Sequence, residues 1–448
     1  MRKTGGKWIK TAALGLAACL AWMSTVGAGA PAADASPAEK TETAAEASTA
    51  ETPSVETAIP YWEDDSAAMA SIIEYVVSVT DENSPDYKEP KARIAVFDVD
   101  GTLFGELFPT YVDTCMMMYR ILHDDTYEEP DPEDKEYVEA LEKALLSGEP
   151  EPDYDKSGGQ IIAEAFKGLT IDEYRQYVRA FMAEPAAGFD GMCYGDGFYK
   201  PMTALVQYLA AHDFQIYICS GGERTFLREL TEGTLDDWIP PQQVIGTTFS
   251  LTATGQGDKA GRSYTYTADD EVLIEGNMSF KNQKMNKVAS IVQEIGVTPI
   301  LAFGNSSGDF AMAQYIVQHG GKAYMLLCDD TERDYGNTEK AAEFAQECAE
   351  LGFETVSMKN EFTTIYGENV QKTSFSAPEP AKEPTQKNVE EPAEENVKEP
   401  VNEAGEKPEK ENAEKPANES EEQQADEAEE EPVQAPEDPE EEALKPAA

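Results

Sequence analysis

Short apolar runs, each closing on a polar turn, recur through the middle of this chain. The first is Arg93-Ile94-Ala95-Val96-Phe97, which runs into Asp98-Val99-Asp100-Gly101-Thr102-Leu103. It is β-branched and too brief for a helix, so it predicts a buried strand. Phe214–Cys219 repeats the pattern and closes on Ser220-Gly221-Gly222. Pro299–Phe303 closes on Gly304-Asn305-Ser306-Ser307-Gly308-Asp309, and Lys322–Cys328 on Asp329-Asp330. Helical periodicity lies between these runs. Ser66 can cap a helix reaching about Val79, with Met69, Ile72, Ile73, Val76 and Val77 on its apolar face. Further helices are predicted at Pro201–His212, through Phe226, Leu227 and Leu230, at Asn286–Ile295 and at Phe310–Val317. This alternation predicts an α/β fold with a doubly wound parallel sheet.

Two stretches interrupt the alternation. Residues 105–200 carry no strong strand signal but show helical patterns at Pro109–Leu122, Glu133–Leu146, Gly159–Phe166 and Ile171–Met182. They predict a helical insertion outside the sheet. Val244 to Ile274 alternates weakly around Gly255-Gln256-Gly257 and predicts a small β-hairpin excursion.

Composition changes the picture mainly at the ends. The formal net charge is −52 with a pI near 4.2, which argues against a nucleic-acid partner. Residues 373–448 are rich in Glu, Pro, Ala, Lys and Asn and lack core-forming side chains, so they predict a disordered acidic tail. The sequence names no partner for it. Residues 31–57 predict a disordered linker, leaving 58–372 as the globular domain. Residues 1–30 predict a signal peptide: Arg2, Lys3, Lys7 and Lys10 precede an apolar run from Ala12 to Val26. Cleavage after Ala28 would give a secreted protein. Leu16-Ala17-Ala18-Cys19 instead offers a lipobox, with a lipid anchor in the membrane at Cys19. Both readings place the mature protein in the cell envelope or beyond it. The other five cysteines are dispersed, with a Cys115–Cys193 bridge as one pairing, and His123, His212 and His319 form no cluster.

Parallel strands bring their carboxyl ends to one edge of a sheet, where ligands bind in open α/β folds. That edge would gather Asp98, Asp100, Ser220-Gly221-Gly222, Asn305 and Asp309, with Lys281, Lys284 and Lys287 near the start of one helix. Strand, Ser-Gly-Gly and helix suggest an anion site made of backbone N–H groups and a helix amino end. The set contains a carboxylate nucleophile, a second carboxyl for proton transfer, phosphate donors, a cation and oxygen ligands for Mg²⁺.

These motifs resemble the four signatures of the haloacid dehalogenase superfamily, in its phosphoserine-phosphatase-like branch. The resemblance runs from about Ile59 to about Tyr366. It implies a Rossmann-like core with an inserted helical cap at about 105–200. It implies that Asp98 attacks phosphorus to form an aspartyl-phosphate and that Asp100 serves as acid and then base. Ser220 and the amides near Gly221 would bind phosphoryl oxygens, and Lys287 would neutralise charge. Glu106 would contact substrate at the cap entrance. Mg²⁺ would be held by Asp98, the Asp100 carbonyl, Asn305 and Asp309. Lys287 is preferred to Lys281 and Lys284 because Val-Ala-Ser-Ile follows it, as in similar phosphatases. Asn305 departs from the aspartate common at that position, which weakens the expected metal site.

The resemblance therefore implies an exported Mg²⁺-dependent phosphomonoesterase acting on a small phosphate ester. Two alternatives remain at this stage. One is a dedicated phosphoserine phosphatase; the other is a surface interaction protein that kept the fold and lost the activity.

Overall fold

The computed structural model describes residues 58–127 and 130–374. The predicted signal peptide, the linker, the lipobox cysteine and the tail beyond residue 374 lie outside the described residues. Strands are β1 (Ile94–Phe97), β2 (Phe189–Asp190), β3 (Gln215–Glu223), β4 (Val244–Ala253), β5 (Val272–Phe280), β6 (Leu301–Gly304), β7 (Lys322–Leu327), β8 (Glu354–Ser357) and β9 (Gln371–Lys372). Helices are α1 (Ala67–Thr80), α2 (Val112–Leu122), α3 (Pro132–Ser147), α4 (Gly158–Ala165), α5 (Ile171–Met182) and α6 (Lys200–Ala211). They continue with α7 (Arg224–Thr231), α8 (Met285–Ser290), α9 (Phe310–Gln318), α10 (Thr338–Leu351) and α11 (Met358–Glu361).

One seven-stranded sheet runs β5-β4-β3-β1-β6-β7-β8. Every pairing in it is parallel except β4–β5. β1 is central and buried at all four positions, which is why its sequence is an unbroken apolar run. Alternate side chains feed two cores. Phe97, Phe303 and Tyr324 stack in a row across β1, β6 and β7, with centroids 4.3 and 5.5 Å apart. On the opposite face Val96, Ala302 and Met325 pack with Ile291, Met312 and Ile316 from the helical layer. Two covered faces make the doubly wound, Rossmann-like sheet that the strand–helix alternation predicts.

The insertion after β1 is helical, as expected, with α2 to α5 close to their predicted bounds. Asp131, Ser157 and Thr170 cap α3, α4 and α5 through their side-chain oxygens. The stretch from Val244 to Ile274 begins the expected antiparallel pair, but the pair is part of the main sheet rather than an excursion from it. β4 is a full member of the sheet, and β5 turns back along it as the antiparallel edge. β5 is also where the cap rests: Gly168 N donates to Ile274 O at 2.8 Å and Ile274 N to Leu169 O at 3.0 Å. Arg175 and Arg179 of α5 reach the buried Glu229 of α7 at 3.1 and 2.6 Å. α10 and β8 had no sequence expectation; β8 buries only one of its four residues, so its apolar signal is faint. The five described cysteines are free thiols, which removes the Cys115–Cys193 pairing.

The end of the domain is held by side chains behind the sheet edge. β9 pairs antiparallel with β2, and Tyr335 Oη donates to Gly188 O at 3.0 Å or Thr373 O at 2.7 Å. Beside them the buried Asp334 carboxylate accepts from Tyr366 Oη at 2.9 Å and Tyr335 N at 2.8 Å. Burial outweighs these bonds and pushes the Asp334 carboxyl up to about 6, against an ordinary value of 3.8. Folding therefore takes up a proton between those two values, and this group favours the folded state most below the lower one. Stability from this group should fall as pH rises through about 6, by about 3 kcal/mol in all. Asp334→Asn should flatten that dependence, as measured by urea unfolding of both proteins at about pH 4 and about pH 7.

Candidate active site

β1, β3 and β6 deliver their carboxyl ends side by side because they are adjacent and parallel. Asp98 follows β1 directly, and its N–H donates to Phe303 O at 2.9 Å. The α8 residue Lys287 is buried, and its Nζ lies 2.8 Å from Asp98 Oδ1 and 2.5 Å from Asp309 Oδ1. Asp309 Oδ2 accepts from the Asn305 and Ser306 amides and from Ser306 Oγ, each at 3.2 Å. Both Asp309 oxygens are thus engaged by the protein.

Two glycines allow this convergence. A Cβ on Gly304 would lie 2.6 Å from Asp309 Cβ. A Cβ on Gly101 would meet Asn305 Nδ2 at 1.9 Å, and Gly101 has a φ of +72°. The Asn305 amide is oriented from both ends: Nδ2 donates to Glu106 at 3.0 Å, and Oδ1 accepts from Thr102 Oγ1 at 3.3 Å.

The Ser-Gly-Gly segment differs from its expected form. β3 continues through it to Glu223, and the register with β4 slips between Cys219 and Glu223. Ser220, Gly221 and Gly222 form a bulge that re-aims the strand toward the site. The amino end of α7 is closed by Glu223, whose carboxylate accepts from Phe226 N at 2.8 Å. That helix end is therefore not an open anion site, contrary to the sequence reading. Asn282 pins the bulge from below: its Nδ2 donates to Ser220 O at 2.9 Å. A Cβ on Gly221 would meet nothing closer than 3.8 Å, so the bare backbone leaves room beside it.

A cavity of about 150 Å³ is lined by Asp98, Asp100, Ser220, Gly221, Lys287, Asn305 and Asp309. Seven of the eight predicted site residues meet there. Glu106 is the exception: it lies just outside the lining, where its carboxylate accepts from Asn305 Nδ2 at 3.0 Å. Lys284 is exposed and also outside, whereas Lys287 and Lys281 both line the cavity. Tyr111, Asp113, Lys281 and Gln283 line the cavity without having been assigned a role. Asp113 could have been suspected from its place in the first turn of α2, where an acid ordinarily serves the helix dipole.

The carboxyls are crowded. Burial and Asp309 raise Asp98 to about 6, against the pull of Lys287. Burial, then Asp113, Asp98 and Glu106, raise Asp100 much further. Excess negative charge on oxygen ligands suits a hard divalent cation such as Mg²⁺, which needs only one or two carboxylates. Among the described residues no three His, Cys, Asp or Glu side chains converge on one metal position. The fitting donors are Asp98, Asp100 and the Asn305 amide oxygen.

A family model described as haloacid dehalogenase-like hydrolase matches residues 95–314. Residues 95–314 are thus identified as a haloacid dehalogenase-like hydrolase domain. Solved structures similar to this hydrolase include a conserved functionally unknown protein from Anaerococcus prevotii DSM 20548. The identity is 14%, over 66% of this chain and 92% of that one, with a TM-score of 0.41. A phosphoserine phosphohydrolase-like protein from Francisella tularensis subsp. tularensis SCHU S4 is 16% identical over 58% of this chain and 99% of that one, TM-score 0.31. A probable phosphoserine phosphatase from Vibrio cholerae is 13% identical over 63% and 74%, TM-score 0.30. No curated protein matches the sequence.

The hydrolase's lysine can be tested through stability. Lys287→Met leaves two buried carboxylates without their cation and should cost about 3–5 kcal/mol. Lys284→Met, at an exposed position, should stay within about 0.5 kcal/mol of the wild type in the same urea titrations.

Proposed function

We propose that this hydrolase is a phosphomonoesterase that works through an aspartyl-phosphate on Asp98. The observation that carries the reading is the Lys287 ammonium held between Asp98 and Asp309 at the floor of the cavity. A cation fixed there orients the nucleophile and offsets charge as phosphate oxygens approach.

Asp98 attacks phosphorus; its carboxylate oxygen forms the new P–O bond as the bond to the leaving alcohol breaks. Asp100, whose carboxyl is pushed well up by burial and by the acids beside it, gives its proton to that alcohol. It then takes a proton from the water that hydrolyses the aspartyl-phosphate, releasing inorganic phosphate and restoring both groups. Ser220 Oγ and the Gly221 amide receive the phosphoryl oxygens in the space that the bulge leaves open. Mg²⁺, which Asp98, the Asp100 main-chain carbonyl and the Asn305 amide oxygen would hold, would supply charge stabilisation to the transferring group. Asp309 positions Lys287 and the Asn305 loop, since both of its oxygens are already committed.

The substrate is a small phosphate ester, in keeping with a cavity of about 150 Å³. The basic and apolar residues from Arg2 to Val26 support an exported enzyme, either secreted or lipid-anchored at Cys19. Export also argues against a role confined to phosphoserine.

The test is phosphate release from p-nitrophenyl phosphate with and without Mg²⁺. Asp98→Asn is expected to abolish turnover with an unchanged circular dichroism spectrum. Asp100→Asn should lose about 10²–10⁴-fold, the usual worth of acid–base help. Near-wild-type turnover by purified Asp98→Asn would overturn the mechanism.

A further inference from the structure

The cavity is lined by four aspartates, Asp98, Asp100, Asp113 and Asp309, and by two lysines, Lys281 and Lys287. Lys287 has its charge balanced and two of its three N–H donors taken by two buried carboxylates. A phosphate dianion entering this cavity therefore meets a surplus of negative charge and little unspent positive charge. The charge that remains is on Lys281.

Lys281 stands just past the end of β5, and its Nζ donates to Gly221 O at 3.0 Å. That bond places the ammonium on the same backbone segment that offers the Gly221 amide. Lys281 is exposed, and among the described residues it forms no ion pair, so two of its donors face solvent or the cavity. Its backbone is fixed by the next residue. Asn282 is fully buried; its N–H donates to Thr247 Oγ1 at 3.2 Å, its Nδ2 to Ser220 O, and its Oδ1 accepts from Ser290 Oγ at 2.9 Å. Thr247 Oγ1 also donates to Gly221 O at 2.7 Å. Lysine, bulge and serine thus form one braced unit. Across the cavity, the charge of Lys281 is the largest influence drawing the Asp113 carboxyl down against its burial.

We propose that Lys281 is a second phosphate-binding cation, which takes a non-bridging phosphate oxygen beside the Ser220-Gly221-Gly222 bulge. Asp113, on the cap, is its counter-charge until phosphate arrives. Lys287 serves the nucleophile, and Lys281 serves the ligand. This inference rests on the phosphomonoesterase reading and gives that reading its affinity for phosphate.

The experiment uses inorganic phosphate as a competitive inhibitor of p-nitrophenyl phosphate hydrolysis, in Mg²⁺ buffer, with the full chain. Lys281→Met should raise both the phosphate Ki and KM about tenfold, the scale of one charge-assisted hydrogen bond, with kcat little changed. Lys281→Arg should recover most of the loss. Asp113→Asn should tighten phosphate binding, because it releases the lysine from its counter-charge. An unchanged melting temperature in Lys281→Met would separate binding from folding. If wild type turns over and Lys281→Met keeps its phosphate Ki, the inference is overturned. A fall in kcat with Ki and KM unchanged would also overturn it, by placing the lysine in the chemistry. A wild type that neither hydrolyses esters nor binds phosphate would instead refute the phosphomonoesterase reading itself.

Discussion

Everything at the sheet edge depends on one ammonium group kept out of water between two carboxylates. Isolated, any of these charges would be costly to bury, and together they need close geometry to be tolerated. The fold supplies it from three separate places: the end of β1 for Asp98, the loop after β6 for Asp309, and α8 for Lys287. Gly304 and Gly101 carry no side chain because the loops must touch there. The stacked Phe97, Phe303 and Tyr324 stiffen the adjoining strands one residue below the charges. A site whose members lie so far apart in sequence can be held to fractions of an ångström only by a sheet that does not flex.

Legibility in the sequence followed the strength of the physical constraint. β1, β6 and β7 are buried on both faces and could be read from their apolar runs alone. The cap helices were readable from their periodicity and caps. Lys287 was separated from Lys281 and Lys284 by the residues after it, and the buried ion pairs agree. What the sequence hid was long-range pairing. β4 and β5 looked like a separate hairpin because β5 is an edge strand with only two buried residues, which weakens the alternation. The Glu106–Asn305 hydrogen bond at 3.0 Å had no local signal, because its two ends lie about 200 residues apart. Glu223 as a helix cap was obscured by the two glycines before it, which read as the end of a strand. Tyr111 and Asp113 line the cavity at the start of α2, where the one local hint, an acid in the first helical turn, reads equally well as a partner for the helix dipole.

The cap is less independent than its helical composition suggests. It leans on β5 through main-chain bonds and on α7 through Glu229, whose burial is offset by two arginines from α5. Both connections lie on the β3–β4–β5 half of the sheet, the half that carries the Ser220-Gly221-Gly222 bulge.

The β2–β9 pair gives the domain an unusual load path. β9 is two residues long, and its Lys372 reaches back to the Thr331 and Asp334 carbonyls at 2.9 and 2.8 Å. A tug on the chain beyond Thr373 would first be borne by this short clasp. Through β2 it would pass to the strand that closes the cap, only ten positions before α6 begins at Lys200. For a protein fixed to a surface or crowded by neighbours, tension at that end would be shared between the cap, through β2, and the loop after β7 that Lys372 grips. The catalytic edge, braced from the opposite side, would be the last part to register the strain.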